Sequence, residues 1–180
     1  MVNHIKTFER IDQKLVKLQS LRPLPAIAVR KLREQFEIEM TYNSNAIEGN
    51  SLTLKETYLV VHEGLTIKGK PLKDHLEAQD HHYALEFLYD LIQHDSKPTL
   101  SEHLIRNLHE LIVKKTGDDY AGKYRTNNVF IGGSDHTPPD ALQVPTDMHK
   151  LLAWFNRESK HRHPVELAAL SHHRLAHIHP

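Results

Sequence analysis

The stretch His163-Pro164-Val165-Glu166-Leu167-Ala168-Ala169-Leu170-Ser171-His172-His173-Arg174-Leu175-Ala176-His177-Ile178-His179-Pro180 decides how this chain is read. Pro164 suits the first turn of a helix, where a missing N–H is no loss. From there Val165, Ala168, Ala169, His172, Leu175, Ala176 and His179 recur three or four residues apart. That spacing predicts one apolar stripe turned to a core. His172, lying on the stripe, reads as a hydrogen-bonded core histidine. His179 ends the buried face, just where Pro180 would stop regular helix. A histidine at the mouth of a packed helix is well placed for chemistry, although spacing alone does not establish any.

Working outward, helical periodicity dominates. Phe8, Ile11, Leu15 and Leu18 predict a helix over about residues 5–21, broken by Arg22-Pro23-Leu24-Pro25. A second helix should open near Pro25, with Val29, Leu32, Phe36 and Met40 as its apolar stripe, and stop at Gly49. Thr53-Leu54-Lys55-Glu56 is a capping box, so a short helix to about His62 follows. Pro71 opens a long helix to about His94. Thr99 to Glu102 reads as a second capping box, heading a helix that carries Leu104, Leu108 and Leu111 to Gly117. Pro145 opens another, with Met148, Leu151, Leu152 and Phe155 inward. Between the last two, Val129-Phe130-Ile131, Gly132-Gly133 and Pro138-Pro139 predict a small β-hairpin. The expected fold is therefore all-α with one small hairpin.

Composition narrows the function. Lys plus Arg total 23 and Asp plus Glu total 23, so the formal charge is zero. That is not the footprint of a nucleic-acid binder. The chain has no cysteine, which removes disulfides and thiolate metal sites. No apolar run reaches the ~18 residues that a membrane span needs, and the expected setting is cytoplasmic. There are 16 histidines. His173 and His177 stand four apart and could share a metal, but no third ligand follows, so no metal site is expected. Lys114-Lys115 reads as a solvated helix end that complements the dipole.

Three segments together resemble the Fic family. Leu175-Ala176-His177-Ile178-His179-Pro180 resembles the opening of its signature, in which His-Pro is followed by Phe-x-(Asp/Glu)-Gly-Asn-Gly-Arg-x-x-Arg. The segment from Gly122-Lys123-Tyr124-Arg125 to Pro138-Pro139 is similar to the family's target-docking flap. Ser44-Asn45-Ala46-Ile47-Glu48-Gly49 fits its inhibitory motif, (Ser/Thr)-x-x-x-Glu-(Gly/Asn). The likeness runs from about Thr41 to Pro180. It implies a Fic-type helical bundle, with residues 1–50 as N-terminal helices including the inhibitory one and 51–180 as the core, cut off after His-Pro.

The resemblance also implies a chemistry: transfer of AMP from ATP, with Mg, to a Ser, Thr or Tyr hydroxyl of a target protein. His179 would be the general base. Ser44, Glu48 and Gly49 would form the brake. Ile131, Gly132 and Gly133 would edge the nucleotide and pair with target backbone by strand addition. Self-association is a further partner to test. A non-catalytic interaction module and a Fic enzyme that removes AMP remain open alternatives. Residues 1–180 hold only the first two residues of the signature's His-Pro-Phe run. By themselves they are expected to transfer no AMP, and labelling that His179→Ala abolishes would contradict this.

Overall fold

The structure is a computed structural model describing residues 2–94, 99–133 and 135–180, with side chains from Lys6 onward. Residues 1–36 and 37–180 form two compact units. The first holds α1 (Val2–Ser20) and the opening turns of α2 (Ala26–Ile47). Pro25 starts α2 as expected, its carbonyl accepting from the amides of Ala28 and Val29 at 2.9 and 3.1 Å. None of this unit's described side chains is buried.

The stripe expected on α2 is not its buried face. Val29, Leu32, Phe36 and Met40 are all exposed, whereas Glu37, Ile38 and Thr41 are buried. The expectation weighed apolarity alone, and a polar group can occupy an inward position when it finds a partner. Thr41, fully enclosed, shares a 3.2 Å hydrogen bond with His81 Nδ1.

The second unit continues with α3 (Leu54–His62), α4 (Leu72–His94), α5 (Glu102–Val113), α6 (Val144–Glu158) and α7 (Pro164–Ile178). α3 starts with the predicted capping box: Glu56 N–H donates to Thr53 Oγ1 at 3.3 Å, and Thr53 N–H to Glu56 Oε2 at 2.8 Å. The second predicted box is shifted. Ser101 rather than Thr99 caps α5, accepting from Leu104 N–H at 3.1 Å.

Helix α4 packs on α3 and α5, and α6 packs on α7 and α5. A minor cluster of Leu52, Val60 and Ala78 joins α3 to α4. The turn before α4 is pinned by His75, whose Nε2 accepts from Ile67 N–H at 2.8 Å. Its Nδ1 must therefore carry the proton that reaches Pro71 O at 2.8 Å. The main core gathers Val144, Met148, Leu151 and Trp154 of α6 with Leu167 and Ile178 of α7.

Helix α7 turns inward a face that shares only Leu175 with the predicted stripe. Leu167 and Ile178 are buried, with Leu170 packed against the same core. Arg174 lays its guanidinium 4.2 Å from the Trp154 ring centroid. Val165, Ala168, Ala169, His172 and Ala176 are exposed, so His172 is no core histidine. Apolar residues lie on more than one side of this helix, and only the shape of α6 selects among them.

Replacing Met148, which is completely enclosed, with alanine should cost about 2–5 kcal/mol by urea unfolding. Leu142→Ala, at a side chain 90% exposed, should stay within about 0.5 kcal/mol.

Candidate functional site

The site is built at the C-terminal end of α7. The helix starts cleanly: His163 caps it by accepting from Val165 N–H at 3.2 Å, and Pro164 takes the first turn. It ends on His179, whose φ and ψ of 49° and 62° are left-handed. Such a conformation costs a residue other than glycine on the order of 1–3 kcal/mol. The His179 amide still reaches Leu175 O at 2.9 Å, and its side chain is exposed. The imidazole is therefore offered to solvent from a backbone fixed at the helix end.

The segment 124–140 lies against this end. The predicted hairpin is not seen: among the described residues it contains no strand, and no backbone–backbone bond links its two halves. Side chains take up its carbonyls and amides instead. Arg125 donates to Asn127 O at 3.0 Å and to Pro139 O at 2.5 Å. Asn128 Oδ1 accepts from Ala141 N–H at 2.8 Å, and its amide donates to Asp140 Oδ2 at 3.2 Å. Ile131 is half-buried, while Gly132 and Gly133 are exposed and Phe130 is 85% exposed. Gly122 enters the segment with φ of 65°, where a Cβ would come within 3.2 Å of Arg106 O. A side chain there would meet both steric and backbone strain.

The Ser44–Gly49 motif closes α2. Ser44 is half-buried and Glu48 is exposed. Gly49 turns the chain with φ of 90°, a region where glycine meets no Cβ penalty. The carbonyl of Asn45 collects the amides of Glu48 and Asn50 at 3.1 and 3.0 Å. The chain is then fastened to α4. Asp74 Oδ2 accepts from Ser51 N–H at 2.8 Å and from its hydroxyl at 2.5 Å. The Asn50 amide donates to Asp74 O at 3.0 Å and to Glu77 Oε2 at 3.1 Å. The Lys70 ammonium donates to Ser51 O.

Two further side chains depart from expectation or escaped it. Lys115 is not merely solvated: its Nζ lies 2.7 Å from Oδ1 of buried Asp80 and 5.0 Å from the Tyr83 ring centroid. Sequence reasoning gave no role to Asp80 or Asp74. An acid in the first turn of α4 was the only available signal for Asp74.

Between α5 and α7 runs an apolar groove of about 610 Å³, lined by residues including Ile105, Leu108, Ile112, Leu175 and Ala176, with His179 at its rim. Among the described residues no group of three His, Cys, Asp or Glu is arranged to hold a metal ion. Magnesium requires oxygen ligands, and the carbonyls at the end of α7 already accept from Arg125. The residues around His179 therefore do not fit that ion.

The helical bundle with its tethered loop beside the end of α7 has the fold of Fic-domain proteins of known structure. A Fic-domain signalling protein of Bacteroides thetaiotaomicron superposes with a TM-score of 0.83 at 34% identity, over 94% of this chain and 65% of that one. Fic-1 of C. elegans gives 0.82 at 27% identity, over 99% of this chain and 52% of that one. Residues 99–180 match the Fic/DOC family, to which this part of the chain belongs. Among curated relatives, the protein adenylyltransferase Fic of Nematostella vectensis is 33% identical over 178 residues, 96% of this chain and 40% of its own length. That of Culex quinquefasciatus is 30% identical over 184 residues, covering all of this chain and 36% of its own. The chain thus spans well under half the length of these relatives.

Burial alone would raise the carboxyl pKa of Asp74, but the Ser51 hydroxyl and amide outweigh it and hold the group below its ordinary 3.8. A lowered carboxyl contributes stability above the unfolded pKa and loses it as pH falls through the folded one. The urea-midpoint gap between wild type and Asp74→Asn should therefore be constant from pH 7 to about 5 and shrink below about pH 4.

Proposed function

We propose that this chain supplies the base, the brake and the target-docking loop of a protein adenylyltransferase. The observation that carries the reading is His179: exposed, held in a left-handed cap, and tied through its backbone to the loop that starts at Tyr124. In the reaction a Ser, Thr or Tyr hydroxyl of the target protein gives its proton to the His179 imidazole. The hydroxyl oxygen bonds to the α-phosphorus of ATP. The bond from that phosphorus to the bridging oxygen breaks, and pyrophosphate leaves with the electron pair. A neutral imidazole suits this because it accepts a proton near neutral pH.

Ile131, Gly132 and Gly133 are the docking edge. No described residue of their segment is paired in a ladder, so their backbone is available for strand addition by an extended target peptide. Glu48, with Ser44 and Gly49, is the brake. Its exposed carboxylate at the end of α2 can meet an arginine of the full signature and displace the γ-phosphate. The division of residues 1–50 and 51–180 into brake and core belongs to the same reading, as do magnesium, whose expected ligand lies in the signature beyond Pro180, and work in the cytoplasm. No described helix is long and apolar enough to cross a membrane.

The test uses α-labelled ATP and a form that includes the whole signature. His179→Ala should lower target labelling by at least about 100-fold. Glu48→Gly should raise self-labelling above wild type. Labelling that survives in His179→Ala removes the base, and equal self-labelling removes the brake.

A further inference from the structure

Arg125 is half-buried where the loop meets α7. Its Nε donates to His179 O at 2.7 Å. One Nη donates to Asn127 O at 3.0 Å. The other donates to Pro139 O at 2.5 Å and, more weakly, to Ile178 O at 3.4 Å. These four carbonyls come from three places: the start of the loop, its end, and the last turn of α7.

A guanidinium is a planar fork with N–H groups in fixed directions, so carbonyls bound to it are fixed relative to one another. Two of the four, those of Ile178 and His179, are carbonyls that α7 leaves without helical partners, and a positive charge there complements the helix dipole. An arginine serving only as a helix cap would need those two alone. The bonds to Asn127 and Pro139 have no such explanation. They make the same group clamp both ends of the loop.

The left-handed backbone of His179 adds a second argument. That conformation persists only where its surroundings over-determine it. Here the His179 amide is held by Leu175 O and its carbonyl by Arg125. A further tie runs parallel: His136 Nε2 lies 3.0 Å from His177 O, with the two rings 4.3 Å apart.

We propose that Arg125 is a positioning residue for His179: it locks the backbone of that histidine and both ends of loop 126–139 into one body, so that the imidazole keeps a fixed place relative to Ile131-Gly132-Gly133. Its importance for catalysis rests on the reading of His179 as base. Its physical content does not, and can be tested without activity.

The experiment is nuclear magnetic resonance on the 180-residue chain. In wild type the Arg125 Nε–H, assigned by its disappearance in Arg125→Lys, should exchange with water at least tenfold more slowly than a free arginine side chain. A signal exchanging as fast as free arginine overturns the proposal without any need for a variant to fold. In Arg125→Lys the amide of His179 should exchange at least tenfold faster, and its ring signal, assigned by His179→Ala, should move toward the unstructured position. Amides of Met148 to Leu151 in α6 should stay within twofold. Lysine keeps the charge but not the fork, so wild-type behaviour of His179 in that variant would also overturn the proposal. In the transfer assay, loss of labelling in His179→Ala alongside wild-type rates in Arg125→Lys would keep the base and remove Arg125.

Discussion

The close packing of α6 against α7 carries the rest of this structure. Val144 and Met148 are fully enclosed, and Leu151, Trp154, Leu167 and Ile178 complete the cluster around them. A well-packed interior of this kind resists deformation. Because Ile178 belongs to the cluster, the last turn of α7 cannot shift without disturbing it. His179 is the next residue along the chain. The core thus sets the position of a solvent-facing imidazole one residue beyond its own edge.

Polar groups extend that rigidity to segments too irregular to pack. Arg125 joins the loop to α7, Asp74 joins the turn after Gly49 to α4, and Asp80 joins the end of α5 to α4 through Lys115. Asp74 and Asp80 are nearly removed from water. Burying a charge without partners is costly, so each such carboxylate must be met by donors in a definite geometry. These contacts restrain the segments that carry the candidate base and the candidate brake. The segments they tie down have little regular structure of their own: among its described residues the loop has no ladder, and the Glu48 turn has one glycine-dependent reversal.

The sequence by itself determined what depends on near neighbours. The box at Thr53 to Glu56 forms because its two hydrogen bonds span three residues, and α6 turns Met148, Leu151 and Leu152 inward because they recur three or four residues apart. The breaks at Pro25, Gly49 and Pro164, and the family motifs around Glu48 and His179, are legible for the same reason. Only the tertiary structure decided the inward faces of α2 and α7, since each carries apolar residues on several sides and the partner surface selects among them. His172 was therefore assigned to the wrong side, and Lys115 was assigned to solvent although Asp80 lies 35 residues away. The hairpin failed likewise: local signals marked Gly132-Gly133 as a turn, but the flanking backbone bonds to Arg125 and Asn128 rather than across a ladder. Arg125 has partners up to 54 residues distant. Periodicity and capping act over a turn or two of chain, whereas a side chain that joins distant backbone carbonyls acquires its meaning only when folding brings them together.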